Sequence, residues 1–279
     1  MNDSLQRKYE ALQQSLRECR KVLVALSGGL DSSFLLYAAL DTLGPENTYA
    51  AIGDSASLAR AELDAAKNFC TTVGLPEQHL ILATTAELDN PAYRRNAGDR
   101  CFFCKQELYG KLRQIAAELG EVVICDGANA SDVGDHRPGM RAAREAEVRS
   151  PLLEAELDKD QIRELAKDRN LKVWDKPQSA CLASRIPYNS EVTSEKLSQV
   201  ERAEAYLRTL GFTQLRVRHH DKLARIELPA ADLSRLVANG LREQVAARFR
   251  ELGFLFTTLD LAGFRSGSMN VMLKGEQDE

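Results

Sequence analysis

Val22-Leu-Val-Ala-Leu-Ser-Gly-Gly-Leu-Asp-Ser-Ser-Phe34 is the stretch whose reading decides the fold. Its apolar run, Val22 to Leu26, has the length of a strand buried on both faces. Ser27-Gly28-Gly29 breaks the run, and a helical apolar pattern begins at Asp31-Ser32-Ser33 and continues through Phe34-Leu35-Leu36 to Leu40. A buried strand, a glycine turn and a helix start make an anion site. The glycines let backbone N–H groups approach a phosphate, and the unpaired amides and dipole of the helix start favour negative charge. Ser32 and Ser33 add hydroxyl donors, and Asp31 is placed to hold a magnesium ion against the same phosphates. A plain glycine turn with a Ser/Asp cap is the bland alternative.

The string Ser-Gly-Gly-x-Asp-Ser-Ser behind an apolar strand is more specific than such a turn, and it is neither a Walker A loop nor Gly-x-Gly-x-x-Gly. It resembles the PP-loop of ATP pyrophosphatases, which split ATP between its α and β phosphates. The resemblance implies that Ser27, Gly28, Gly29, Asp31, Ser32 and Ser33 hold pyrophosphate while AMP passes to an acceptor oxygen.

The chain has 279 residues, 28% charged and 44% hydrophobic. That is enough for one large α/β domain and a smaller one. A net charge of −4 offers no general attraction to nucleic acid or an anionic membrane. No apolar run reaches the roughly 18 residues of a membrane span. Met1 to Lys21 is charged and helical in pattern, without an apolar signal region, which predicts a cytoplasmic protein. Six cysteines in that compartment point to metal binding or catalysis rather than disulfides.

Strands at 48–52, 79–83 and 122–125 alternate with helices at 59–73 and from Asp99 to about Leu119, and 148–153 reads as a last short strand. Such alternation predicts a parallel, doubly wound sheet with ligands beyond the carboxyl ends of its strands. Ser55, after the second strand, is expected near the adenine. Asp126, Asn129 and Asp132, after the 122–125 strand, are candidates for phosphate, ribose or magnesium; a surface turn is the alternative. Arg137 is a further candidate anion contact. Asp158 and Gln161 have capping-box spacing and open a helix to about Asn170.

Asp99 is a plausible N-cap, which puts Cys101 and Cys104 in one helical turn and on one face. They read as ligands to one metal or cluster, or as half-buried thiols; zinc wants four ligands, and the chain has no second Cys-x-x-Cys. Cys181 lies in a loop between Pro177 and Pro187, beside Lys176 and Arg185, and such cationic neighbours favour thiolate. From Thr193 a second, smaller domain is expected, with a helix to Leu210 capped by Gly211 and strands at 214–218, 224–228 and 255–261. Arg216 and Arg218 share a strand face and suit an anion, although a solvated face explains them as well.

The fold class expected is α/β, a doubly wound parallel sheet of the PP-loop ATP pyrophosphatase, adenine nucleotide alpha hydrolase-like type, with a smaller α+β C-terminal domain. The boundaries expected are 1–186 and 187–279.

The loop is followed in order by Asp-Arg-Cys-x-x-Cys-Lys (99–105), Asp-Gly-x-Asn-Ala (126–130), Arg-Pro-Gly (137–139), Ser-Pro-Leu (150–152), Lys-Pro-x-x-Ala-Cys-Leu-Ala-Ser-Arg-Ile-Pro (176–187) and Arg-Val-Arg-x-His (216–220). Across nearly the whole chain this resembles the LarE family, PP-loop sulfur transferases that make the nickel-pincer nucleotide of lactate racemase. The resemblance implies that ATP adenylates a carboxylate of pyridinium-3,5-biscarboxylic acid mononucleotide and that sulfur then displaces AMP to give a thiocarboxylate. It implies Cys181 as the sulfur-bearing cysteine and Arg185, Glu204, Arg216, Arg218 and Arg265 as substrate contacts. One subgroup gives up the sulfur of a single cysteine. Another holds a [4Fe–4S] cluster on three, and Cys101, Cys104 and Cys181 fit that pattern. A departure at Ala128 and Ser131 leaves the magnesium role of the Asp132 loop open. The implied partners are a homohexamer, a sulfur donor and a nickel-insertion enzyme downstream. Rival readings are an amide or queuosine-type ligase, which has no use for Cys181, a tRNA thiolase, and a non-catalytic ATP- or Fe–S-binding scaffold.

Overall fold

The computed structural model describes residues 3–133, 138–177, 179–238 and 240–265. Arg137 and the C-terminal stretch beyond Arg265 lie outside them. In chain order the elements are α1 (Asp3–Cys19), β1 (Val22–Ala25), α2 (Leu30–Leu43), β2 (Thr48–Asp54), α3 (Arg60–Thr72), β3 (Leu80–Thr84), α4 (Pro91–Arg94), α5 (Arg100–Leu119) and β4 (Val123–Cys125). They continue with α6 (Pro138–Glu145), α7 (Pro151–Glu154), α8 (Lys159–Asp168), α9 (Ser194–Thr209), β5 (Arg216–His220), β6 (Leu223–Glu227), α10 (Ala230–Val237), α11 (Leu241–Glu251) and β7 (Phe256–Leu259).

Two compact units emerge, 1–87 with 101–179, and 88–100 with 180–279. They do not follow a single cut at 186. The 88–100 segment joins the second unit because buried Asn96 donates through Nδ2 to the carbonyls of Ile186 and Pro187 at 3.2 and 2.7 Å. Nothing in the composition of 88–100 announces that pairing.

The first unit is a parallel sheet in the order β3-β2-β1-β4. All four residues of β1 are buried. Val22 and Val24 pack into a core with α1, α2, α3 and α8, while Leu23 and Ala25 pack into another with α5 and α6. This two-sided burial is what a short, unbroken apolar run encodes. The order reverses across β1, so β1 and β4 form the switch point where such sheets bind ligands. The expected strand at 148–153 is absent. Arg149 makes only an isolated bridge to Cys125, and Pro151, suited to a first helical position, opens α7 instead.

The second unit holds a three-stranded sheet, β5-β6-β7, antiparallel then parallel. Thr193 caps α9, accepting from the Lys196 amide at 3.3 Å, and Gly211 follows that helix with φ +84°. β5 runs to His220, two residues beyond the expected end. The turn shrinks to Asp221-Lys222, where Asp221 takes φ +51°, a value short polar side chains tolerate.

Candidate functional site

In the first unit, Gly29 precedes α2 in extended conformation without a side-chain cap bond, so the amides at the helix start stay available to an anion. Gly28 has φ +73°, and a Cβ there would lie 3.1 Å from that of Ala66. Only glycine takes this turn without strain. Ser32 Oγ accepts from the Ser27 amide at 3.1 Å and lies 3.0 Å from Ser27 Oγ. These contacts fold the loop back on its helix. Lys176 donates to the Gly28 carbonyl at 2.8 Å and pairs with Glu62 at 2.7 Å, bracing the loop from outside.

Behind the loop, Asp31 Oδ1 and Ser33 Oγ are buried without a hydrogen-bond partner among the described residues. Desolvation raises the Asp31 pKa, Lys159 opposes the shift, and the nearby Asp132 adds to it. Lys159 Nζ stands 3.5 Å from Asp31 Oδ2. A buried carboxylate oxygen without a donor, next to a second carboxylate, is the chemistry of a hard-cation site. Magnesium therefore fits Asp31, with Asp132 beside it.

The β4 turn closes the other side. A Cβ on Gly127 would lie 2.7 Å from the Ser32 amide nitrogen, so the turn rests directly on the helix start. We expect Gly127→Ala to cost about 1–3 kcal/mol of stability, as overpacking does, and to weaken ATP binding; denaturant unfolding and calorimetry measure both. Asn129 and Asp132 form a capping box: Asn129 Oδ1 accepts from the Ser131 amide at 3.0 Å and Asp132 Oδ2 from the Asn129 amide at 3.1 Å. Asp126 accepts from Tyr109 Oη at 2.9 Å, Ser150 Oγ at 2.7 Å and the Ala128 amide at 3.2 Å. These bonds give it a positioning role in the turn. Ser55 accepts from the Ser57 amide at 3.1 Å, and Arg60 braces the segment through the Ser55 carbonyl at 2.7 Å. A cavity of about 850 Å³ borders Gly28 between Tyr37, Phe69, Val73, Leu171 and Lys176; of the expected nucleotide residues only Gly28 lines it.

In the second unit, exposed Cys181 precedes a short 3-10 helix, Leu182–Arg185. Arg185 is buried. It pairs bidentately with Glu204 at 2.8 and 3.2 Å and donates to the carbonyls of Ala180 and Cys181 at 2.6 and 3.1 Å. Arg218 pairs bidentately with Glu227 at 3.0 and 2.8 Å and donates to the Ser184 carbonyl at 2.8 Å. Both arginines thus fasten the turn that carries Cys181.

Arg216 differs. It is 6% exposed, stacks over the Phe264 ring at 4.7 Å and reaches the Arg265 carbonyl at 3.4 Å, with no carboxylate at ion-pair distance among the described residues. Burial, then the nearby Arg218 and Arg185, lower its pKa. Glu227 and Glu204 act on it only at longer range, and a buried guanidinium with no carboxylate in contact is a seat for an anion. Arg265 is exposed.

Cys101 is exposed and Cys104 partly buried, both near the start of α5, in the unit that does not contain Cys181. Among the described residues, no three His, Cys, Asp or Glu side chains come together as a metal site. Sequence reasoning missed Lys159 and Glu227, and took Lys176 only as a neighbour of Cys181. Lys159 follows the Asp158 cap, whose box with Gln161 is present, but nothing in its sequence context points to Asp31.

Residues 4–116 match the NAD synthase family. An uncharacterized protein of Synechocystis sp. is 42% identical over 96% of this chain and 99% of its own. The pyridinium-3,5-bisthiocarboxylic acid mononucleotide synthase of Lactiplantibacillus plantarum is 38% identical over 98% of each chain. Among solved structures, a glutamine-dependent NAD+ synthetase from Acinetobacter baumannii in complex with ADP aligns with a TM-score of 0.51 at 18% identity. It covers 76% of this chain and 42% of that one, a likeness of fold.

Proposed function

Since the chain belongs to the family of the pyridinium-3,5-bisthiocarboxylic acid mononucleotide synthases, we propose that it transfers sulfur to a pyridinium dicarboxylate mononucleotide at the expense of ATP, which it splits to AMP and pyrophosphate. The observation that carries this reading is the phosphate cradle, a glycine loop on the start of α2 with Asp31 Oδ1 and Ser33 Oγ buried and unpartnered behind it. The loop and helix amides bind the leaving pyrophosphate, Ser32 keeps the loop folded, and Lys159 tunes the charge of Asp31. Magnesium, held by Asp31 with Asp132 beside it, would neutralise the phosphates. A substrate carboxylate oxygen attacks the α-phosphorus as the bond to the bridging oxygen breaks. The resulting acyl adenylate has AMP as a far better leaving group than oxide.

Arg216 offers the charge for the substrate's phosphate or its second carboxylate, while Arg185, Glu204 and Arg218 position the Cys181 turn and Arg265 stands beside Arg216 in the same role toward substrate. Arg216→Ala is expected to weaken binding of the pyridinium mononucleotide by about 1.5–3 kcal/mol and to leave ATP affinity unchanged. Equal losses for both ligands in calorimetry would refute that division.

Sulfur comes from Cys181 itself, which would leave dehydroalanine at position 181; a [4Fe–4S] cluster, where bound, would be held by Cys101, Cys104 and Cys181 and would supply sulfide instead. The cysteine inventory alone supports the cluster. Anaerobic reconstitution yielding about four irons per chain, lost on Cys101→Ser, would establish the cluster. Dehydroalanine after turnover, with no iron retained, would establish sacrifice of Cys181. A homohexamer, a separate sulfur donor, a downstream nickel-insertion enzyme and a cytoplasmic location complete the proposal. No described helix is long and apolar enough to cross a membrane.

The direct test incubates the protein with ATP, magnesium and the pyridinium mononucleotide. AMP, pyrophosphate and a thiocarboxylate product seen by mass spectrometry support the reading. ADP and phosphate, or an amide product, would replace it with a rival.

A further inference from the structure

The cavity beside Gly28 takes no part in the reaction drawn above. Its volume of about 850 Å³ falls within the roughly 300–1,000 Å³ of small-molecule sites. Its walls come from α2, α3 and the segment after α8. Tyr37, Phe69, Val73 and Val173 pack against the buried core of the first unit, are only partly covered by it, and line the cavity. Two of these four are aromatic, and a flat ring packs well on such walls. The polar lining is unbalanced. Three cationic side chains, Arg169, Lys172 and Lys176, stand against one carboxylate, Asp175. Lys176 is committed, since it pairs with Glu62 at 2.7 Å and donates to the Gly28 carbonyl at 2.8 Å. Arg169 donates to the Leu165 carbonyl at 3.2 Å and lies over the Tyr9 ring at 4.0 Å. Neither it nor Lys172 has a carboxylate at ion-pair distance among the described residues. Apolar walls with a few polar groups of one sign make a site for an apolar anion, and a guanidinium with no carboxylate in contact suits a planar one. Glu62 repels an anion from Lys176, so Arg169 and Lys172 are the charges that receive it.

We propose that this cavity is a regulatory site for a small aromatic carboxylate, with its ring on the Tyr37 and Phe69 walls and its carboxylate on Arg169 and Lys172. Occupancy reaches the phosphate loop through the chain. The 169–176 segment lines the cavity, and its last residue, Lys176, holds the Gly28 carbonyl. A ligand that fixes this segment fixes the Lys176 brace, so it strengthens ATP binding. By linkage, ATP strengthens binding of the ligand to the same degree. The coupling rests on the proposed function, whereas the binding site does not.

The probe is 1-naphthoate, with 1-naphthamide as an uncharged compound of the same shape. Calorimetry on the full chain should give 1-naphthoate a dissociation constant on the order of 0.1 mM, ordinary for so few atoms. The amide should bind about tenfold more weakly, and Lys172→Met should lose most of that difference. Ala65→Trp, which fills the cavity from an exposed position of α3, should abolish binding. Hydrogen–deuterium exchange on the unaltered chain should show 1-naphthoate protecting 65–73 and 169–176. No saturable binding by about 1 mM, equal affinity for the two probes, a difference that survives Lys172→Met, or protection confined to other segments would overturn the site. Protection of these segments before any probe is added, lost on dilution, would give the cavity to a second copy of the chain and overturn it as well. ATP affinity is then measured with and without saturating 1-naphthoate. A gain of about fivefold is expected, and an unchanged or weaker affinity would overturn the coupling. Protein that binds the probe but never ATP would overturn the proposed function and leave the site standing. Because exchange is read on the unaltered chain, it decides the location even if Ala65→Trp folds poorly.

Discussion

Asp31→Asn is expected to slow pyrophosphate release on the order of a hundredfold to a thousandfold, the scale of losing one preorganised electrostatic contact to a reacting phosphate. The substitution keeps shape and removes charge, so it separates the cation-binding role from packing. The raised pKa of Asp31 makes a second, independent forecast. A carboxyl that holds its proton to higher pH loses its ionised form as pH falls through that raised value. In the magnesium-free protein the acid limb of ATP binding should therefore lie above the roughly 3.9 of an ordinary aspartate, and magnesium should draw it down. Asp132→Asn removes a raising influence and should move the limb down; Lys159→Met removes a lowering one and should move it up. For stability the sign is opposite to that of a salt-bridged aspartate. A raised native pKa contributes stability below the unfolded value and loses it as pH rises through the native value. At neutral pH Asp31 thus costs stability, and Asp31→Asn should unfold at slightly higher denaturant while being nearly inactive. An inactive variant that is also destabilised would mean that Asp31 is structural.

Much of the first unit was legible because its signals are local. A four-residue buried strand, a glycine pair and a Ser/Asp helix start are encoded within thirteen consecutive positions. The Asp158–Gln161 box and the Thr193 and Gly211 boundaries likewise depend only on neighbouring backbone groups. The strand expected at 148–153 failed for a reason already in the sequence: Pro151 cannot donate to a ladder, and it outweighs the flanking Val148 and Leu152. Long-range pairings were not legible. Asn96 meets Ile186 and Pro187 across some 90 positions, and Lys159 meets Asp31 across more. Alternation put Arg216 and Arg218 on one face, yet it could not say that Arg218 is neutralised by Glu227 and Arg216 is not. That difference depends on the register between β5 and β6, in which Arg216 stands opposite Glu227 while Arg218 reaches its carboxylate diagonally.

Glu227→Ala is expected to destabilise the protein by about 3–5 kcal/mol, the cost of stripping one partner from a buried ion pair. Arg218 is 1% exposed and Glu227 has no exposure, so the guanidinium left behind could recover little hydration. The loss does not measure the worth of the pair, since desolvating both ions offsets much of their attraction. Replacing both, as Arg218→Met with Glu227→Leu, should therefore restore most of the stability lost in Glu227→Ala, a coupling visible in a double-mutant cycle by denaturant unfolding. It should not restore sulfur transfer. Arg218 also donates to the Ser184 carbonyl, and with Arg185 it fastens the turn that begins at Cys181. The double variant keeps a packed sheet, yet its Cys181 turn loses one of the guanidinium groups that hold it and keeps those of Arg185 and Arg100, so thiocarboxylate formation should fall while ATP affinity holds. If Glu227→Ala cost less than about 1 kcal/mol, as an exposed pair would, the pair would not be buried as described. If the double variant transferred sulfur at the full rate, Arg218 would be a packing residue and the positioning of Cys181 would rest on Arg185 and Arg100.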